Sequence, residues 1–180
     1  MNLIFGQDQA IGEWVARRIP HMYGRSFENF VAIGVAIDGK PAAGVVYSDW
    51  MPEAGTMQIS MAADTPRWAG KGVIAALLHY PFEQSGVNKL WTSTPQKNER
   101  AIKFNLGVGF TREAILRHQY GRKNHAVICS MLANEYRKRY VHHGNDGAAA
   151  QAGRGNDGHP GVGWHVSPTE AENRPGITAV

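Results

Sequence analysis

Cysteine is nearly absent from this chain, since its 180 residues contain only Cys129. A single cysteine forms no disulfide bond within the chain and no zinc site built from cysteines. It lies in the apolar run AVICSML, and the sequence identifies no partner that would activate a nucleophilic thiol. We therefore predict that Cys129 is a small, buried hydrophobic residue on a strand.

Long hydrophobic runs are missing as well. The chain has no stretch approaching the roughly 20 apolar residues that a membrane-spanning helix needs. The first ten residues, MNLIFGQDQA, lack the basic flank and the apolar centre of a secretory signal. We therefore expect a cytoplasmic protein with no membrane partner.

Acidic residues are scarce in the first part of the chain. The formal net charge is +4, but the residues from 141 onward contribute −2, so residues 1–140 carry +6. An excess of positive charge favours an anionic partner. A phosphorylated cofactor would satisfy this preference, and nucleic acid is the alternative.

A change of composition at residue 141 divides the chain. Gly, Ala, Asn, Asp and Pro dominate from there on, and the sequence GNDG occurs twice. We predict one folded domain over residues 1–140 and a low-complexity, disordered tail over residues 141–180. Four of the eight histidines lie in the tail, but their spacing matches no zinc pattern, so we expect no metal.

The spacing of apolar residues predicts the elements of the domain. The pair Asp38-Gly39 between two apolar runs indicates a β-hairpin. Asp8 is expected to cap the first helix, Pro81 to kink the second, and Asn98 to cap the third, which Gly107 and Gly109 close. The predicted helices are residues 8–19, 70–85, 98–106 and 134–140. The predicted strands are residues 30–37, 40–50, 56–63, 89–94, 110–120 and 126–132.

A turn of glycine, lysine and glycine, Gly70 to Gly72, joins the strand over residues 56–63 to the second helix. Glycines allow consecutive backbone N–H groups to converge, and a helix N-terminus adds unpaired donors and the positive end of its dipole. Such a turn binds phosphate in many proteins. A short glycine turn taken by itself is also a common tight connection.

Two segments resemble motifs of the GNAT acyltransferase superfamily, and the order of elements over residues 1–135 agrees with them. The segment PRWAGKGVIAALL is similar to the loop that binds the pyrophosphate of acyl-CoA in that family. The segment NERAIKFNLGVGF is similar to the family's Asn-x-x-Ala/Ser helix that ends in Gly-Phe. The pieces YPFEQSG and GFTREAILR are similar to small acetyltransferases of bacteriophages and prophages.

The resemblance implies a fold and an activity. The fold would be of the α/β (α+β) class, a mixed, mostly antiparallel sheet with helices on both faces and one parallel strand pair. The activity would be transfer of acetyl from acetyl-CoA to an amine by direct attack, without a metal. Two alternatives stay open: a non-catalytic module that binds CoA or a partner, and a protein that binds or modifies nucleic acid.

The resemblance also assigns the residues that would hold the acyl donor. The backbone of Ala62, Ala63 and Asp64 would pair with the pantetheine arm, and Asn98 would contact pantetheine or only cap its helix. Ala69 stands where the family usually has arginine, so Arg67 or Lys71 would supply the cation. The residues around the pyrophosphate would be Arg67, Ala69, Gly70, Lys71, Gly72 and Val73.

Acyl transfer to an amine needs a donor for the developing oxyanion and an acceptor for the amine proton. Asp64 is a candidate base, although it also suits a turn, and Ser60 lies on the same predicted face. Asn105 stands where the family often has a tyrosine that protonates the leaving thiolate. An amide donates a hydrogen bond but cannot act as a general acid. His118 and Tyr120 are further residues that could reach the cleft.

The polar segment Arg117 to His125 would flank the acceptor site if the family layout holds. Its basic side chains favour a small-molecule or protein amine that is acidic, or a nucleic acid. A solvated basic loop is the simpler interpretation. Exposed strand edges in this fold allow a homodimer, although no single residue requires one.

Overall fold

The computed structural model describes residues 1–22 and 24–141, and all structural statements below concern these residues. The helices are α1 (Asp8–Ala16), α2 (Lys71–His79), α3 (Glu99–Val108) and α4 (Ala133–Tyr140). The strands are β1 (Asn2–Ile4), β2 (Val31–Ile37), β3 (Lys40–Met51), β4 (Thr56–Ala63), β5 (Lys89–Pro95), β6 (Thr111–Leu116) and β7 (Ala126–Leu132). Short 3-10 helices at Pro20–Met22 and Pro66–Trp68 and a π-helical turn at Tyr80–Gln84 connect them.

The described strands form one sheet in the order β1-β2-β3-β4-β5-β7-β6. Neighbouring strands are antiparallel except for β4 and β5, which are parallel. The crossover through α2 explains that pair, because a strand, a helix and a returning strand usually lie parallel. The prediction of a mostly antiparallel sheet with one parallel pair is confirmed.

Helices cover both faces of the sheet, as predicted. On one face, which we call the α1 face, Ile11 and Val15 of α1 pack on Ala32 and Val46. The helix lies close to β3 because Gly44 has no side chain there, and a Cβ at that position would stand 2.6 Å from Val15 Cγ2. The opposite face carries the larger core, to which α2, α3 and α4 contribute Leu77, Leu78, Val108 and Tyr136.

The parallel pair is short, and this shapes the middle of the sheet. β4 and β5 pair only through Thr56 with Lys89, Met57 with Leu90 and Gln58 with Trp91. Beyond these pairs β4 continues along β3, and β5 continues along β7. The carboxyl-terminal halves of β4 and β5 therefore separate, leaving a gap between residues 59–63 and 92–95 that we call the β4–β5 cleft.

Several predicted boundaries were wrong at the amino-terminal end. β1 was not predicted, because three residues are too few to show a period. Asp8 is the first residue of α1, and Gln7 is its N-cap. The Asp8 carboxylate instead accepts the N–H of Ala32 (2.6 Å), so it ties α1 to β2. The helix ends at Ala16, three residues earlier than predicted.

Other corrections concern the ends of later elements. β6 stops at Leu116 rather than at residue 120, because His118 adopts a left-handed conformation (φ 61°) within a turn. α3 runs through Gly107 to Val108, so only Gly109, with φ 113°, closes it. α2 ends at His79 and the predicted kink is a π-helical turn, in which Ser85 N–H donates to Tyr80 C=O (3.0 Å).

Cys129 is fully buried on β7, which confirms its prediction as a core residue. None of the described helices is both long enough and apolar enough to cross a bilayer. The predicted tail lies outside the described residues apart from Val141, and so do its four histidines.

Candidate active site

The connection from β4 to α2 places a helix N-terminus beside the cleft. β4 leaves the sheet at Ala63, and Thr65 Oγ1 accepts the N–H of Arg67 (3.3 Å) to start the short 3-10 helix. Gly70 follows in an extended conformation, and α2 begins at Lys71. Because β4 separates from β5 towards its carboxyl end, the start of α2 lies at the open end of the β4–β5 cleft.

Some of the predicted phosphate-binding N–H groups are occupied. Ala69 N–H donates to Pro66 C=O (3.1 Å), and Gly70 N–H donates to Trp68 C=O (2.9 Å). The first bond of α2 runs from Ile74 N–H to Gly70 C=O (3.0 Å). The N–H groups of Ala69 and Gly70 are therefore not available to a ligand in this structure.

The N–H groups of Lys71, Gly72 and Val73 have no acceptor within the described residues, and no side chain caps them. Unpaired donors at a helix N-terminus, together with the helix dipole, attract anions. The structure thus narrows the predicted pyrophosphate site to three donors on the first turn of α2.

The glycines at this turn leave room for a ligand. Gly70 has φ −64°, which any residue adopts, and Gly72 lies in the helix. A Cβ built at either position would have no atom within 4 Å. Glycine within a helix costs about 1 kcal/mol relative to alanine, so Gly72 is unfavourable for α2 itself. The absence of a side chain at these two positions allows a phosphate to approach the backbone closely.

The free edge of β4 offers a second set of backbone groups. Asp64 N–H donates to Ala42 C=O (2.9 Å), which continues the ladder with β3. Because backbone groups alternate between the two sides of a strand, those of Ala62 also face β3. Those of Met61 and Ala63 face the cleft, where an extended ligand can pair with them. The sequence did not predict Met61 as a pairing residue, because this depends on which backbone groups of β4 already bond to β3.

Asn98 is the N-cap of α3. Its side-chain oxygen accepts the N–H of Ala101 (3.1 Å), so the cap role is confirmed, and a contact with pantetheine stays a prediction.

Asn98→Ala should lower the free energy of unfolding by about 1 kcal/mol, because a free N–H is left at the start of α3. Asn98→Asp keeps the cap and should leave the stability unchanged in urea denaturation. If Asn98 also contacts the acyl donor, the aspartate variant will still bind acetyl-CoA more weakly in calorimetry. Equal affinities would show that the residue is a cap only.

A pocket of about 280 Å³ lies between the start of α2, α3 and the end of α4. Its wall is partly apolar, with Ile74 and Phe104, and it carries two cations, Lys71 and Arg139. Arg139 is held in place by donating to Gly107 C=O (2.7 Å). Cations beside apolar walls suit a phosphorylated nucleotide. Arg139 was not predicted, and Arg67 is exposed and does not line this pocket.

Asn105 joins α3 to the wall of the cleft. The residue is buried, and its amide Nδ2 donates to Thr94 Oγ1 of β5 (3.2 Å). An amide in this place can hold β5 or donate to a developing charge, but it supplies no proton.

Asp64 lies on the α1 face and forms a salt bridge with Arg18. Both carboxylate oxygens accept hydrogen bonds from Arg18, at 2.7 and 2.8 Å, and Arg18 also lies over the ring of Trp14. The hydrogen bond from Arg18 lowers the pKa of Asp64, so its carboxylate is a weaker proton acceptor than usual. The geometry favours a structural role, in which Asp64 holds the end of β4 against α1.

Ser60 is half-buried and pairs with Val46 in the ladder. The alternation of β4 puts it on the α1 face with Ala62 and Asp64, as predicted.

Tyr120 reaches the cleft wall, whereas His118 does not. The Tyr120 hydroxyl lies 2.7 Å from Ser93 Oγ and donates to Ser93 C=O (3.0 Å), in the part of β5 that has left β4. Burial raises the pKa of Tyr120, so it stays protonated. His118 Nδ1 instead accepts the N–H of Lys123 (2.9 Å) within the loop.

His21 also lies at this place, and it was not predicted from the sequence. Its imidazole, from the 3-10 helix after α1, packs on the Tyr120 ring with 4.3 Å between ring centroids. Two segments about 100 residues apart in the chain thus meet on the α1 face of β5.

No protein-family model matches the chain, and no curated protein matches its sequence. Solved structures do match. One is a spermidine N-acetyltransferase, a chimera of Vibrio cholerae SpeG with the protein hSSAT. It matches with a TM-score of 0.61 and 14% identity, and the match covers 77% of this chain and 100% of that protein. A protein inferred to be an acetyltransferase, from T. thermophilus, has a TM-score of 0.54 and 20% identity, covering 62% and 63%. A third, described as a probable acetyltransferase, has a TM-score of 0.51 and 23% identity, covering 59% and 64%.

The match spans less than two thirds of the length of the last two proteins. At these identities the likeness concerns the fold. The chain has a GNAT-like fold, as the two sequence motifs predicted.

Proposed function

We propose that this chain is an acyl-CoA-dependent N-acyltransferase of the GNAT superfamily, which transfers acetyl from acetyl-CoA to an amine by direct attack. One observation carries the proposal: the free N–H groups of Lys71, Gly72 and Val73 lie at the end of the sheet where β4 and β5 no longer pair. A phosphate site next to a free strand edge suits a ligand that joins a pyrophosphate to an extended amide-containing arm.

The residues of the site fit acyl-CoA. The first turn of α2 would hold the pyrophosphate, the backbone of Met61 and Ala63 would pair with the pantetheine amides, and Lys71 with Arg139 would hold a nucleotide phosphate. The bound donor supplies an activated thioester. The amide of Asn105, next to β5, cannot give a proton to the leaving thiolate as the family's tyrosine does, and this keeps a non-catalytic CoA-binding module as the second candidate.

The acceptor is proposed to be an amine with acidic character, from a small molecule or a protein. The loop over residues 117–125, which brings Tyr120 to Ser93 of β5, also carries the exposed side chains of Arg117, Arg122 and Lys123. Several of the matching structures are named spermidine N-acetyltransferases, and an amine is the acceptor in that name. Nucleic acid would need the same positive charge, so it stays a further candidate.

We also propose that the chain forms a homo-oligomer. A cytoplasmic location and a relation to phage acetyltransferases stay proposals as well. Leu116 and Ile115 of β6 are exposed at the edge of the sheet, where a second copy could pair. A SpeG structure among the matches is described as dodecameric.

Calorimetric titration of acetyl-CoA into the full chain tests the proposal. We expect micromolar binding, followed by release of CoA thiol when amines are added from a panel that includes spermidine and a glutamate-rich peptide with a free amino terminus. Binding without turnover on the whole panel would favour the non-catalytic module. Absence of binding to the folded chain would reject the acyltransferase and lead to a search for a modified nucleotide.

A further inference from the structure

The α1 face of the β4–β5 cleft has a wall built from three separate segments. Ser93 belongs to β5, Tyr120 to the loop between β6 and β7, and His21 to the 3-10 helix after α1. The Tyr120 hydroxyl is fixed on Ser93, and its ring supports the imidazole of His21. We call these three residues the His21 cluster. It lies on the opposite face of the sheet from α2, whose first turn carries the phosphate donors.

The hydrogen bonds of the cluster leave one group able to accept a proton. The Tyr120 hydroxyl donates to Ser93 C=O, so the Ser93 hydroxyl donates to Tyr120, and both protons are committed. Neither ring nitrogen of His21 takes part in a hydrogen bond within residues 1–22 and 24–141. Around the cleft, Asp64 is bound by Arg18 on both oxygens, and the amide of Asn105 is not a base.

The surroundings of His21 favour the neutral form of its imidazole, although the residue as a whole is exposed. The groups that face it are Arg25 on its own segment and the phenol of Tyr120 on the opposite loop. Partial burial and the positive charge of Arg25 lower the pKa of His21. A neutral imidazole near the operating pH is the most common proton acceptor in enzymes.

We propose that His21 accepts the proton of the incoming amine, and that Tyr120 positions the imidazole for this step. The inference rests on the proposed function. The amine nitrogen forms a bond to the thioester carbonyl carbon, and the carbon–sulfur bond breaks with its electron pair on sulfur. The amine proton passes to a His21 nitrogen, directly or through one water, and then to the thiolate, so that CoA leaves as the thiol.

The test is the pH dependence of turnover, measured as CoA thiol release with the glutamate-rich peptide and with spermidine. For the wild-type chain, kcat/KM should rise through an apparent pKa below that of an ordinary histidine. His21→Gln should lower kcat about 100-fold and remove this inflection, because a proton acceptor is lost. The variant should bind acetyl-CoA in calorimetry as tightly as the wild-type chain, because His21 lies away from α2.

Two variants separate the proton acceptor from a structural role. Tyr120→Phe keeps the ring but loses the bond to Ser93, so it should lower kcat less and keep the inflection. Asp64→Asn should also keep the inflection in the pH profile of kcat/KM. An inflection that persists in His21→Gln with kcat within about threefold of wild type would overturn the inference and leave the proposed function intact. A wild-type chain that binds no acetyl-CoA, or turns over neither amine, would overturn both.

Discussion

Gly72→Glu should weaken acetyl-CoA binding by at least about 100-fold. The substitution puts a carboxylate on the first turn of α2, at an open position beside the free N–H groups of Lys71, Gly72 and Val73. Like charges brought together at a binding site cost several kcal/mol, which corresponds to this loss of affinity. The measurement is calorimetry with acetyl-CoA and with CoA, and both should lose affinity equally because they share the pyrophosphate.

The same substitution should not harm the fold. A glutamate in the first turn of a helix interacts favourably with the helix dipole, and a side chain at Gly72 meets no other atom. Gly72→Gln is the matched control, because it adds the same bulk without the charge and should lose much less affinity. If the glutamate variant binds acetyl-CoA normally, the phosphate site is not at the start of α2.

Phe82→Ala should lower the free energy of unfolding by about 3–5 kcal/mol, because it leaves a large cavity in the core. Phe82 lies in the π-helical turn, is 1% exposed and stacks on Tyr136 of α4 with 4.7 Å between ring centroids. Phe82 thus connects the end of α2 to the helix that carries Arg139.

Urea denaturation measures this change, and Phe82→Leu provides the comparison. Leucine fills most of the space, so the loss should be within about 1.5 kcal/mol. The alanine variant should also bind acetyl-CoA more weakly if α4 moves with Tyr136. An alanine variant as stable as the leucine variant would mean that α4 and the turn collapse together without a cavity.

Local patterns predicted most of the fold. The Asp38-Gly39 hairpin, the parallel pair around α2 and the Asn98 cap depend on residues close in sequence, and the structure has all three. The boundaries that failed had separate causes. The cap of α1 was wrong because the Asp8 carboxylate bonds β2 and not its own helix, whereas β6 and α2 end early at a left-handed turn and a π-helical turn.

The candidate site could be predicted only in part, for a related reason. The glycine turn is a local motif, so Lys71, Gly72 and Val73 could be found from the sequence. Met61 depends on which backbone groups of β4 already bond to β3, and His21 depends on a contact with a loop about 100 residues away. No period or spacing in the sequence encodes either placement.

β4 and β5 share only three ladder pairs, so a bound acyl donor could itself contribute to the stability of the sheet. β1 to β4 form one hydrogen-bonded block and β5 to β7 another, and beyond Gln58 and Trp91 the described strands of the two blocks share no ladder pair. A ligand whose arm pairs with Met61 and Ala63 would supply rungs along this stretch. Binding of the donor would therefore add backbone hydrogen bonds between two strand blocks that otherwise meet through three ladder pairs and a shared apolar core.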